Sequence, residues 1–114
     1  MLSNVNDAQF EEKVLRNQRP VLVDGWAPSC KPCVGMHPIL EALAAEYEGR
    51  VDVVKIDVDQ NAATARAYGI RSLPTLMVVD KGVVLGKKLG VMSRQQIVDW
   101  MHGLLGDRAP GAKA

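Results

Sequence analysis

Cys30 and Cys33 are the only cysteines of this chain, and two residues separate them in Trp26-Ala27-Pro28-Ser29-Cys30-Lys31-Pro32-Cys33. At that spacing one thiol can attack a partner disulfide and the other can release it. A disulfide needs Cβ atoms about 3.8 Å apart. Residues three apart on a helix start about 5–6 Å apart, so a small adjustment closes the bond. Both redox forms are therefore open to one backbone. If a helix begins at this pair, Cys30 sits at its mouth, where free N–H groups and a positive local field favour the reactive thiolate. Cys33 lies one turn further in, more buried and less ionised. The expected roles are then Cys30 as attacking and Cys33 as resolving thiol. Pro32 suits the first helical turn, where a missing donor costs little.

Lys31 puts a cation beside Cys30. At about 6 Å and an effective dielectric of roughly 40 to 80, its attraction for a thiolate is about 0.7–1.4 kcal/mol. That is worth at most about 30 mV if it acts on the reduced form alone. The native couple is therefore expected to be slightly more oxidising than that of a Lys31→Gly variant. Equilibration of both against a glutathione buffer checks this, with salt screening part of the difference. A metal site is the competing use of the pair. Zinc asks for four ligands, and only His37 and His102 could join the cysteines, without finger-like spacing.

The surrounding pattern supplies what must position the pair. Val21–Trp26 opens after Pro20 as an apolar strand buried on both faces. Lys31–Tyr47 reads as a long helix with Met36, Leu40, Leu43 and Tyr47 along one stripe, Pro38 inside it and Gly49 beyond its end. Upstream, Leu2–Val5 reads as a short strand and residues 7–17 as a helix. Asn6 and Gln9 cap that helix, and Phe10 and Val14 share its face. Downstream come a strand at Val51–Val58 and a short helix at Asn61–Ala67 closed by Gly69. Leu76–Val79 and Val83–Leu89 form a hairpin around the three-residue loop Asp80-Lys81-Gly82. Ser93 and Gln96 cap a last helix, which buries Ile97, Met101 and Leu104. Residues 1–105 read as one domain without internal repeats, and 106–114 as a flexible tail.

With 114 residues, 47% hydrophobic and 24% charged, the composition fits a globular domain. A net charge of +1 and the absence of a basic block argue against nucleic-acid binding. No apolar run reaches membrane-spanning length. The N-terminus lacks the basic start and apolar stretch of an export signal. A cytoplasmic protein is therefore expected, and in that reducing setting a lone cysteine pair is more often catalytic or metal-binding than structural.

Taken in order, Trp26-Ala27, Cys30-Lys31-Pro32-Cys33, Pro38-Ile39-Leu40 and Ser72-Leu73-Pro74-Thr75 make the chain resemble the thioredoxin family from about Asn4 to Leu105. Val23-Asp24, Lys55-Ile56-Asp57-Val58-Asp59, Tyr68-Gly69-Ile70-Arg71 and Gly90 agree. The resemblance implies an α/β thioredoxin fold, a central mixed β-sheet flanked by helices on both faces. It implies a thiol–disulfide oxidoreductase that reduces protein disulfides through Cys30 and Cys33. No bound cofactor is expected, and a thioredoxin reductase-like donor would supply electrons to a monomer. Asp24 matches the buried acid that moves a proton at the resolving cysteine, which fits the raised pKa of a carboxylate in an apolar strand. Lys55 matches the lysine beside that acid, and Trp26 the tryptophan packed by the site. Pro74 matches a cis-proline facing the dithiol. Leu73 would then pair its backbone with an extended client segment, with Gly90 on the same surface.

Four residues depart from the family pattern. Ser29 stands where a second Trp is usual, Lys31 where Gly is usual, and Gly25 where an aromatic fills the core strand. His37 replaces a small apolar residue; it reads as a solvated helix residue, with tuning of the thiols as the alternative. Two other readings are a more oxidising disulfide exchange protein and a binding module on the same scaffold.

Overall fold

The computed structural model describes residues 2–106. Five strands form one mixed sheet in the order β1-β3-β2-β4-β5. They are β1 (Ser3–Asn4), β2 (Val21–Trp26), β3 (Asp52–Asp57), β4 (Thr75–Asp80) and β5 (Val83–Leu89). β3 runs parallel to both β1 and β2. β4 runs antiparallel to β2 and β5. The helices are α1 (Asp7–Phe10), continued by π-helical turns over Glu11–Leu15, then α2 (Lys31–Glu46), α3 (Ala62–Ala67) and α4 (Arg94–Leu105). The expected thioredoxin fold is present. The tail expected over 106–114 lies outside the described residues apart from Gly106.

Strand alternation in β2 divides the core. Leu22 faces a cluster with Met36, Leu40, Leu43 and Tyr47 of the α2 region and Ile97, Met101 and Leu105 of α4. Val21 and Val23 face the opposite cluster with Phe10, Val14, Ile56 and Ile70. Helices therefore cover both faces, and β2 is buried along its first five residues. The Met36–Tyr47 stripe is buried as its spacing requires, each large side chain contributing about 1.5–3 kcal/mol.

Local chemistry sets most of the ends. Asn6–Gln9 and Ser93–Gln96 form reciprocal capping boxes that start α1 and α4. α3 has no cap of its own from Asn61. Instead the Asp7 carboxylate accepts from the backbone N–H groups of Thr64 (2.9 Å) and Ala63 (3.3 Å). Asn61 Oδ1 in turn accepts from Asp7 N at 2.8 Å, tying the first helix to the third.

The β4–β5 loop and the buried face of α4 differ from the sequence reading. The β4–β5 loop has two residues, because Asp80 pairs with Val83. Lys81 and Gly82 both adopt positive φ (51° and 84°), as the tightest hairpin turns require. On α4 the buried leucine is Leu105, while Leu104 turns toward β5. Gly86 makes room for it: a Cβ there would lie 3.1 Å from Leu104 Cδ1.

The missing aromatic at Gly25 is compensated by Ile70, whose Cγ2 would stand 3.1 Å from a Cβ at that position. A Gly25→Phe variant is expected to lose about 1–3 kcal/mol through overpacking. Combining it with Ile70→Ala is expected to recover part of that loss. A denaturant double-mutant cycle measures the coupling, and additive effects would show that Ile70 does not fill the space.

Candidate active site

One end of the sheet gathers the chemistry. β2 ends at Trp26, and antiparallel pairing places the start of β4 and the end of β5 beside it, through Gly25–Thr75 and Thr75–Leu89. The turn after β2 closes with Cys30 N donating to Ala27 O at 3.0 Å, and α2 begins there. Cys30 is the N-cap of α2 and Pro32 lies in its first turn. Cys30 and Cys33 are joined by a disulfide with Cα atoms 5.2 Å apart. Cys30 is half-exposed and Cys33 fully buried. The Cys33 N–H points at Cys30 Sγ at 3.2 Å. In the dithiol, that donor together with the helix N-terminus would favour a thiolate on Cys30.

Asp24 lies on the β2 face covered by α2, flanked in the sheet by Lys55 of β3 and Leu76 of β4. It is fully buried, and neither carboxyl oxygen has a hydrogen-bond partner among the described residues. Burial pushes its pKa up to about 7, with Lys55 pulling the other way. Lys55 Nζ stands 4.7 Å above the Trp26 ring. Trp26 is half-buried between that ammonium and His37, whose ring meets it edge-on at 4.7 Å between centroids.

His37 is more buried than the solvated helix residue expected from the sequence, with 16% of its side chain exposed. Its Nε2 comes within 3.5 Å of Asp24 Oδ2. Burial and Lys55 lower the His37 pKa, against a smaller opposite pull from Glu41, so this is a neutral imidazole beside the carboxyl rather than an ion pair. The available signal was spacing: His37 follows Cys33 by one helical turn and so shares its side of α2.

The remaining positions surround the disulfide end of the sheet. Lys31 and Ser29 are exposed. The Leu73–Pro74 peptide is cis, Pro74 is buried and Leu73 half-buried. Gly90, at φ 92°, donates its N–H to Pro74 O at 2.9 Å, which links the end of β5 to the proline loop. Val91 next to it is an exposed apolar residue. Among the described residues no three His, Cys, Asp or Glu side chains converge as metal ligands would.

Comparison with known proteins agrees with this arrangement. The family model for thioredoxin matches residues 1–103. The thioredoxin of Haemophilus influenzae is 39% identical over 99 residues, covering 87% of this chain and 92% of that protein. That of Rickettsia bellii is 40% identical over 102 residues, covering 90% and 97%. That of Pseudomonas aeruginosa is 42% identical over 98 residues, covering 86% and 91%.

Proposed function

Because the chain belongs to the thioredoxin family and is a protein thiol–disulfide oxidoreductase, we propose that it acts as a reductant with Cys30 as nucleophile and Cys33 as resolving thiol. The Cys30 thiolate attacks one sulfur of a client disulfide, and the other client sulfur leaves as a thiolate. Cys33 then gives its proton to the Asp24 carboxylate and attacks Cys30 Sγ. The second client thiolate departs, and both electrons have passed to the client. The protein is left as the Cys30–Cys33 disulfide, which a dithiol on a reductase-like donor returns to the reduced form.

The observation that carries this reading is the asymmetry of the pair: a half-exposed sulfur capping a helix and a fully buried one directly behind it. Asp24 suits its part because a carboxyl titrating at about 7 both takes and returns a proton near neutrality. Lys55 and Trp26 frame that carboxyl. Leu73, Pro74 and Gly90 form the client surface, where the Leu73 backbone pairs with an extended segment. Ser29 leaves that surface less apolar than a tryptophan would, which narrows the clients held by hydrophobic contact. The protein works as a monomer in the reducing cytoplasm, where the disulfide is recycled rather than kept. No helix among the described residues is long and apolar enough to cross a membrane.

Reduction of insulin disulfides tests the reading. The native protein is expected to accelerate precipitation of the insulin B chain in dithiothreitol, and the Cys30→Ser, Cys33→Ser double variant to return the uncatalysed rate. A native protein no faster than the double variant would refute reductase action.

A further inference from the structure

Where α2 covers β2, four buried polar atoms have no hydrogen bond among the described residues: both carboxyl oxygens of Asp24, Nε1 of Trp26 and Nε2 of His37. Asp24 has no exposed surface, whereas His37 keeps 16% of its side chain in contact with solvent. The Cα–Cβ bond of a helical residue tilts toward the N-terminus, so His37 leans back under the Cys33 turn. Its edge-on contact with Trp26 holds the ring in that orientation. Lys55 from β3 and Glu41 from α2 are the other charged groups acting on it, and β4 contributes the uncharged Leu76 beside Asp24.

We propose that His37 is a positioning residue that donates its Nε2 hydrogen to the Asp24 carboxylate and thereby sets the pH at which Asp24 exchanges a proton with Cys33. This rests on the role given to Asp24 above. A neutral imidazole carries its proton on either nitrogen, and on Nε2 that proton faces Oδ2. The 3.5 Å separation belongs to the oxidised state. Once Asp24 is ionised, closing it to about 2.9 Å makes a charge-assisted bond. Such a bond is about twice as strong as the neutral one that a protonated Asp24 could offer the ring. The balance favours the carboxylate and lowers the Asp24 midpoint relative to an apolar neighbour. His37 also gives the sealed carboxyl a polar contact with a group that reaches solvent.

The test is a carboxyl-carbon NMR titration of Asp24 in the oxidised protein, for the native chain, His37→Phe and His37→Gln, alongside the pH profile of insulin reduction. His37→Phe keeps a ring but removes the donor, and is expected to raise the Asp24 midpoint by at least about half a pH unit. His37→Gln keeps an N–H and is expected to hold the midpoint near the native value. The turnover profile should move with the NMR midpoint. An unmoved midpoint in His37→Phe, or an equal rise in both variants, overturns the proposal. A moved midpoint with an unmoved turnover profile overturns it too, and Asp24→Asn then locates the fault. If that variant also leaves the profile unchanged, the role of Asp24 is wrong; if it removes the pH step, only the coupling through His37 is wrong.

Discussion

Replacing Cys33 with serine is expected to stop catalytic turnover and convert the protein into a trap for its clients. Cys30 keeps its place as the N-cap of α2, half-exposed and supplied with backbone donors, so attack on a client disulfide still occurs. What is lost is an attacking sulfur already held next to Cys30 Sγ. External thiol at millimolar concentration replaces such an intramolecular step poorly, and the resolving rate should fall by at least about 10³-fold. Covalent adducts through Cys30 then accumulate. Non-reducing electrophoresis of cell extract should show them as bands that dithiothreitol removes. Cys30→Ser should give none, because the remaining sulfur on Cys33 has no exposed surface. Adducts appearing with Cys30→Ser and not with Cys33→Ser would reverse the two roles.

The parts of this site that sequence reveals are those controlled over a few residues. The C-x-x-C spacing, the capping pairs Asn6–Gln9 and Ser93–Gln96, and the α2 stripe all act within one or two helical turns, and all appear in the structure as expected. The β2 strand is bounded by Pro20 and by the turn into α2, and its limits match the expectation. Features that depend on distant partners are less legible. Phe10 and Val14 share a face whether the helix is α or π, so periodicity gives no sign of the wider turns over Glu11–Leu15. Leu104 and Leu105 are both plausible core residues, and the choice is made by Gly86 on a neighbouring strand. Gly25 looks like a loss of core volume until Ile70, brought in from beyond α3, is seen to fill it. His37 reads as a solvated helical residue because its partners, Asp24 and Trp26, belong to β2. Chain order alone does not reveal the angle at which α2 crosses that strand.

Asp24→Asn is expected to make the protein more stable and a poorer reductant, with both effects depending on pH. The folded carboxyl titrates at about 7 because burial disfavours its charge, with Lys55 offsetting only part of that. In the unfolded chain the same group ionises near pH 4. Between these values the folded state holds a proton that the unfolded state has released. Stability therefore falls as pH rises through this window and levels off above about 7. About three pH units at about 1.4 kcal/mol each set an upper figure of about 4 kcal/mol. Asn carries no charge at any pH, so the variant and the native protein should have similar stability near pH 4. The gap should open between about pH 4 and 7 and then level off, which urea unfolding at several pH values measures. A native stability curve that stays flat from pH 4 to 7 would mean that the buried carboxyl is not held protonated. In the mechanism proposed above the same carboxylate takes the Cys33 proton, so on that proposal Asp24→Asn should slow insulin reduction at pH 7, by up to about 10²-fold. The deficit should shrink toward pH 9, where a thiol ionises without help. Parallel changes in stability and rate near neutral pH would link the cost of burying this charge to the chemistry at Cys33.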